Sequence, residues 1–312
     1  MTTSVLFDAP GPKARRRQRI ATGISLVVIA ALLGYFVWRM YVTDQFAAEK
    51  WAIFTDKNAI RSLSNALLNT LIAAVLSIIF ALIFGAVFAA LRFSSFGPLR
   101  WFSTTIVEFF RAVPLVLLIL FVFLGFADGL QSLSNQLGIT TFMDNAGLGR
   151  SQGALASLVI GLVLYNGSVL AEIFRAGVQS VPSGQREAAY SIGLTRGQTL
   201  RKVLAPQAIR IMLPAIISQS VVALKDTSLG LIVGYGELVR QGQLLAAGYH
   251  NYLPMAIVIG SIYILMNYSL SKFANYLSNR QRRVRKLSLK ADGTLPPDSA
   301  ITLGGNRDKP IE

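Results

Sequence analysis

A chain of 312 residues with 53% hydrophobic and 14% charged residues and a mean hydropathy of +0.52 is too apolar for an ordinary soluble enzyme, in which about a quarter of residues carry charge. Cysteine is absent and histidine occurs once, as His250, which excludes disulfides, thiolate nucleophiles, cysteine-based metal sites and relays of several histidines. A formal net charge of +15 then points either to nucleic acid or to lysine and arginine held on one side of a membrane.

Crossing a bilayer takes about 20 mostly apolar residues, at about 1.5 Å per helical residue. Six stretches qualify: 20–42, 66–91, 107–126, 155–174, 211–233 and 252–277. None alternates as a barrel strand does, so each is predicted helical. The first follows a basic arm, and Phe46-Ala47-Ala48 resembles a cleavage site. Its apolar run exceeds the roughly 7–15 residues of a signal peptide, so it reads as a retained helix. The third opens on Glu108 and Arg111, three apart and able to meet on a helix surface, with Thr105 and Glu108 spaced as a capping box. Pathway lining is the other reading of that pair. Trp38, Trp51, Trp101, Tyr249 and Tyr252 suit interfacial belts.

Lysine and arginine concentrate in three places: the arm with Lys13, Arg15, Arg16, Arg17 and Arg19; the segment after the fourth span with Arg175, Arg186, Arg196, Arg201, Lys202 and Arg210; and the tail from Arg280 to Lys290. Six spans with both termini cytoplasmic put all three on one face. Charge divided this way, without a nucleic-acid-binding fold, makes nucleic acid an unsuited partner. The tail's Gly- and Pro-rich polar composition beyond Arg285 predicts disorder, and its basic run suits membrane lipid headgroups as well as setting topology.

The loop between spans four and five is far longer than a connector needs. Pro182-Ser183-Gly184 predicts a turn, 185–192 a short helix with small Ala188 and Ala189, Gly193 its left-handed end, and Thr195 the cap of a second helix over 196–204. Pro206 interrupts easy continuation, although proline is tolerated in a first turn. Two short helices meeting at a glycine form a knob that can dock in a groove of a soluble partner, with Glu187 free to meet a basic group.

The run Glu187-Ala188-Ala189, Gly193, then Val203 and Pro206 after nine residues resembles the EAA loop of binding-protein-dependent ABC importer permeases. Val203 and Ala205 depart from the family's isoleucine and leucine but stay apolar. The blocks EFFRAVP (108–114), AEIFRAGVQSVPSGQ (171–185) and LKDTSLG (224–230) are similar to the polar amino-acid class of these permeases, and SVLFDAPGPK resembles actinobacterial glutamate permeases. The resemblance implies an all-α polytopic subunit of the type I importer (MetI-like) fold in the bacterial cell membrane. Its domains would be a basic arm (1–19), a first span (20–42), a transporter domain (60–280) holding a coupling loop (181–206), and a basic then disordered cytoplasmic tail (281–312). It implies two ATP-binding subunits, an extracellular solute-binding protein, and a second permease, identical or similar. ATP and Mg would be used by the partners: the phosphate-binding pattern GxxxxGK[ST] is absent here, so the chain is expected to be no enzyme and to hold no cofactor or metal. Closure of the ATPases would drive alternating access through the knob. Glutamate is the substrate the resemblance favours, glutamine or another polar amino acid the alternative.

Polar residues inside the spans are the pathway candidates. Lys225 and Asp226 each cost about 2.5–3.5 kcal/mol in a bilayer and so face protein or water. They either line the pathway with Thr227 and Ser228 or break the helix, Asp226 capping the next half-helix. Asn166, beside Gly167 and Ser168, either bonds substrate or packs helices. Glu172 and Arg175 read as a structural pair, and His250 as an exposed loop residue. A carrier driven by an ion gradient would share the topology and the intramembrane charges, but it needs no socket for an ATPase.

Overall fold

A computed structural model describes residues 11–141 and 152–291, and among these it contains helices and no strand. In chain order the helices are α1 (Pro12–Val42), α2 (Ala48–Trp51), α3 (Lys57–Arg92), α4 (Gly97–Ala112), α5 (Leu115–Gln136), α6 (Gln152–Gln179), α7 (Ser183–Ser191), α8 (Arg196–Gln198), α9 (Ala205–Asp226), α10 (Leu238–Tyr249) and α11 (Tyr252–Ala291). A π turn (Thr199–Leu204) joins α8 to α9, and a 3-10 turn (Thr227–Val233) follows α9. Six helical segments among the described residues are long and apolar enough to cross a membrane: α1, α3, α5, α6, the continuous run Arg196–Val233, and α11 over Tyr252–Lys272. The predicted six-span, all-α architecture is therefore observed.

The chain divides into two compact units. The first comprises residues up to 61 together with 242–258. Here α1 is apolar all round its central part and leaves every side chain but Met40 outside any core, as suits a helix surrounded by lipid or by another chain. After it, the Trp51 indole N–H donates to the Gln45 carbonyl (3.0 Å), and the Asn251 amide donates to the Lys50 carbonyl (3.1 Å). Asp56 caps α3 by accepting the N–H groups of Asn58 and Ala59. His250, with φ +51°, lies exposed in the turn before α11.

The second unit comprises 62–241 with residues from 259 onward, and α6 is the most buried of its spans. Without a hydrophobic drive between helices in lipid, close approach depends on small residues. A Cβ on Gly161 would fall 2.6 Å from the Ile119 side chain of α5, and one on Gly167 would fall 2.8 Å from Phe84 of α3. The core around this helix gathers Ala73, Ile119, Leu155, Leu158, Leu162, Val233 and Tyr235.

Three expectations change. The third span is two helices: α4 ends at Ala112, Val113 is extended (φ −79°, ψ 130°), and α5 begins after Pro114. Proline lacks the N–H a continuous helix would use and disfavours helical backbone in the residue before it. Thr105 consequently lies inside α4, where its predicted capping box with Glu108 is not formed. The fifth span starts earlier than 211, since Pro206 sits in the first turn of α9, where its missing N–H is tolerated. Finally, α11 continues to Ala291, six residues past Arg285. The remaining tail and the first ten residues of the basic arm lie outside the described residues.

Candidate functional site

The knob is built almost wholly from short-range bonds. Gly193 has φ +82° with open space around its α-carbon, so glycine is required there by backbone conformation and not by crowding. The Leu194 N–H reaches the Ala189 carbonyl (3.1 Å) and the Gly193 N–H the Tyr190 carbonyl (2.9 Å), a paired C-terminal cap that closes α7. Two residues later Thr195 opens α8 with a reciprocal box: its hydroxyl accepts the Gln198 N–H and its own N–H donates to the Gln198 side chain. The chain thus ends one helix and begins another with no free joint between them.

That knob is fastened to the spans on either side. Val181, Leu204, Ala208 and Met212 form a core with Phe174, Val178 and Ile216, and the Gln207 amide of α9 donates to the Gln185 side chain of α7 (3.2 Å). Ala189 is buried within the knob, whereas Glu187, Ala188, Tyr190 and Ile192 are exposed, Ile192 at 77%. Of the two alanines expected at a docking face, only Ala188 is available to a partner. Val203 is half-buried and Pro206 exposed where the knob passes into α9.

A second constellation ties the neighbouring helix ends. Glu172 of α6 accepts from Arg92 of α3 and from Arg175 Nε (3.0 Å) and lies 3.6 Å from Arg111 of α4, while Glu108 lies 3.8 Å from Arg92. The predicted Glu172–Arg175 pair is present. Glu108 and Arg111 pair across helices, with Arg92 and Glu172 respectively, instead of with each other. Arg92 ends an uncharged span 80 positions from Glu172, and its place at the end of that apolar run was the one local hint that it needed a partner.

The mid-span candidates separate into two groups. Asn166, 1% exposed near the midpoint of α6, accepts from the Gln219 amide (2.6 Å) and donates to the Asp226 carboxylate (3.4 Å). Gln219 and Asp226 are two turns apart on α9, so this chain of bonds crosses between two spans. Gln219 was missed: its seven-residue offset from Asp226 carries no signal until α6 is known to face α9. Of the two readings of Asp226, the cap of the 3-10 turn is not formed: it makes no side-chain cap bond there, and its carboxylate accepts from Asn166 instead. Lys225 is exposed, Ser228 half-buried, and Thr227 fully buried with its hydroxyl given to the Leu224 carbonyl (2.6 Å). Lys225 is thus open to a ligand, Asp226 half-buried against Asn166 and Thr227 structural, while Glu108 and Arg111 belong to the ionic constellation.

One buried site escaped sequence reasoning altogether. Glu237 is 0% exposed and accepts the N–H groups of Val239 (2.8 Å) and Arg240 (2.7 Å) and the Tyr263 hydroxyl (3.1 Å). Around it Thr70 accepts the Leu238 N–H (3.0 Å), Tyr235 donates its hydroxyl to the Asn69 carbonyl (3.0 Å), and the Asn69 amide donates to the Gly236 carbonyl (2.9 Å). Burial pushes the Glu237 carboxyl up to about 7, against the opposing pull of the Val239 and Arg240 N–H groups. Burial, and then the Glu237 charge, also hold the Tyr235 hydroxyl above its usual value. This arrangement anchors α3, α10 and α11 to one another and offers no reacting group to solvent.

Residues 81–283 match the family of binding-protein-dependent transport system inner membrane components. The glutamate transport system permease protein GluD of Corynebacterium glutamicum is 40% identical over 217 residues, which cover 69% of this chain and 73% of that protein. The probable glutamine ABC transporter permease protein GlnP of Bacillus subtilis is 34% identical over 194 residues, covering 61% and 80%. Among solved structures, an amino acid ABC transporter whose crystal structure was determined with histidines superposes with a TM-score of 0.59 at 26% identity, over 72% of this chain and 95% of that one. The MetNI methionine ABC transporter shares the fold, with a TM-score of 0.57 at 18% identity over 72% and 98%.

Proposed function

The chain belongs to the family of binding-protein-dependent transport inner-membrane components and is a permease of an ABC amino-acid importer; from that premise we propose that it imports glutamate and that the knob at 183–204 receives the force of the ATPases. Two ATP-binding subunits, which use ATP and Mg, seat on the EAA knobs of two permeases. An extracellular binding protein delivers the amino acid. Both termini and all three basic clusters face the cytoplasm. The observation that carries the coupling role is the doubly capped turn at 189–198, fixed to α9 through Leu204, Ala208 and the Gln185–Gln207 bond. A push on the exposed face around Glu187 is passed to α9 without being absorbed in a loop. At the other end of α9 stand Gln219 and Asp226, joined to α6 through Asn166. Tilting α9 works on that polar chain and so opens the pathway to one side at a time.

Glutamate is favoured over glutamine by the 40% identity to GluD and by the exposed ammonium of Lys225 beside Asp226. Lys225 pairs with the side-chain carboxylate of glutamate and Asp226 with its α-ammonium. Uptake into proteoliposomes holding the full complex tests both parts. Glu187→Ala is expected to insert normally yet to lower ATP-driven uptake by about tenfold, the loss of one charge-assisted contact. Lys225→Gln is expected to lower glutamate uptake by about tenfold while sparing glutamine. Wild-type uptake by Glu187→Ala would remove the coupling role, and equal loss of both substrates in Lys225→Gln would remove the substrate assignment.

A further inference from the structure

Beneath the knob lies a cavity of about 660 Å³, walled by the end of α3, the α3–α4 corner, the end of α6 and the two knob helices. Four arginines line it, Arg92, Arg100, Arg186 and Arg196, and no carboxylate does. Arg100, Arg186 and Arg196 make no ion pair among the described residues. Arg92 is 8% exposed; its terminal nitrogens are engaged with Glu172 and the Thr104 carbonyl, but its Nε is buried without a partner. Arg92 is already neutralised by Glu172 and Glu108, whereas the exposed guanidinium groups of Arg100, Arg186 and Arg196 leave the hollow net positive and favour an anion between them. A guanidinium fork matches phosphoryl oxygens in pairs. Arg186 and Tyr190, one turn apart, bring a charge and a hydroxyl from the same face of α7.

We propose that this cavity binds the phosphoryl headgroup of an anionic phospholipid. The volume lies in the range of sites for organic ligands and exceeds what a bare phosphate needs. Between the arginines the wall is mixed, with apolar Phe93, Val178, Leu200 and Leu204 beside polar Ser94, Ser95 and Gln179. Beside it the α3–α4 corner exposes Phe96 (59%) and Trp101 (71%), a surface suited to the glycerol and upper acyl region. The anion would bridge the α3–α4 corner to the knob and brace one against the other. Placing the site in the inner leaflet rests on the orientation proposed above; the arginine-lined hollow does not.

Native mass spectrometry of the complex extracted in mild detergent reads lipid retention directly, without transport. Phosphatidylglycerol is expected to stay bound where phosphatidylcholine is lost. Arg186→Gln combined with Arg196→Gln should weaken phosphatidylglycerol retention by about thirtyfold, at roughly 1 kcal/mol per basic residue, whereas Arg210→Gln, outside the cavity, should not. Competition by inorganic phosphate at millimolar concentration distinguishes the sources. Displacement of lipid only at phosphate concentrations well above those of added phosphatidylglycerol supports the lipid, and displacement at equal concentration reassigns the site to free phosphate and overturns the proposal. Equal retention of the two lipids, or unchanged phosphatidylglycerol retention in the double variant, also overturns it. Loss of ATPase co-purification in the double variant with lipid retention intact would assign the arginines to an acidic segment of the ATPase instead.

Discussion

The knob around Gly193 and the knot around Glu237 both consist of a helix capped by a polar side chain, yet they are made of opposite materials. In the knob the cap is a neutral hydroxyl, exposed, bonded three residues away. In the knot it is a carboxylate with no exposure, surrounded by bonds that span 26 to 168 positions of sequence. An exposed neutral cap contributes about 1 kcal/mol and can be remade from water. A buried carboxylate leaves its donors stranded when removed. The knob is therefore stiff by local geometry while open to a partner, and the knot holds distant helices together while closed to everything.

Breaking the knot should have the largest effect. Glu237→Leu strands the Val239 and Arg240 N–H groups and the Tyr263 hydroxyl, and is expected to cost about 3 kcal/mol or more, read as a large fall in Tm in detergent. Glu237→Gln sharpens the contrast through pH. A carboxyl raised from 4.5 to about 7 on folding binds its proton more tightly in the folded chain. Its contribution is complete below about pH 4.5, fades as pH rises towards 7 and is absent above that. The wild type should lose stability across that window relative to Glu237→Gln, and parallel melting curves for the two would contradict the burial argument. Thr70→Val removes the acceptor of the Leu238 N–H with little change in shape, for about 1–3 kcal/mol. Gly193→Val should cost least in global stability, about 1–2 kcal/mol for a left-handed β-branched residue. It should nevertheless reduce ATP-driven uptake, because the cap that joins α7 to α8 is what it disturbs. Unfolding melts and proteoliposome uptake on the same preparations separate these outcomes.

This contrast also explains what could be read from the chain alone. Spans are written in long apolar runs, and Gly193, Thr195 and Gln198 encode the knob within a few residues, so both were legible. Pro114 was passed over as part of a span because its apolar neighbours masked the break, and the continuous start of α9 was missed because tolerance of Pro206 depends on where the helix begins. Two of the three residues in the mid-span chain were readable, Asn166 and Asp226 being polar in apolar surroundings. Gln219 needed the knowledge that α6 faces α9. For Glu237 no pattern sufficed: Asn69 and Thr70 are ordinary residues of an apolar helix until the fold carries Leu238 and Gly236 to them.

One more consequence concerns α1. Because its side chains other than Met40 lie outside the core of this chain, packing within the subunit asks of that rod greasiness and length, not shape. Among the described spans it is the one whose exchange for an unrelated segment of equal reach disturbs least of the subunit's own packing, whereas a single added methyl on Gly161 in α6 would already collide with Ile119.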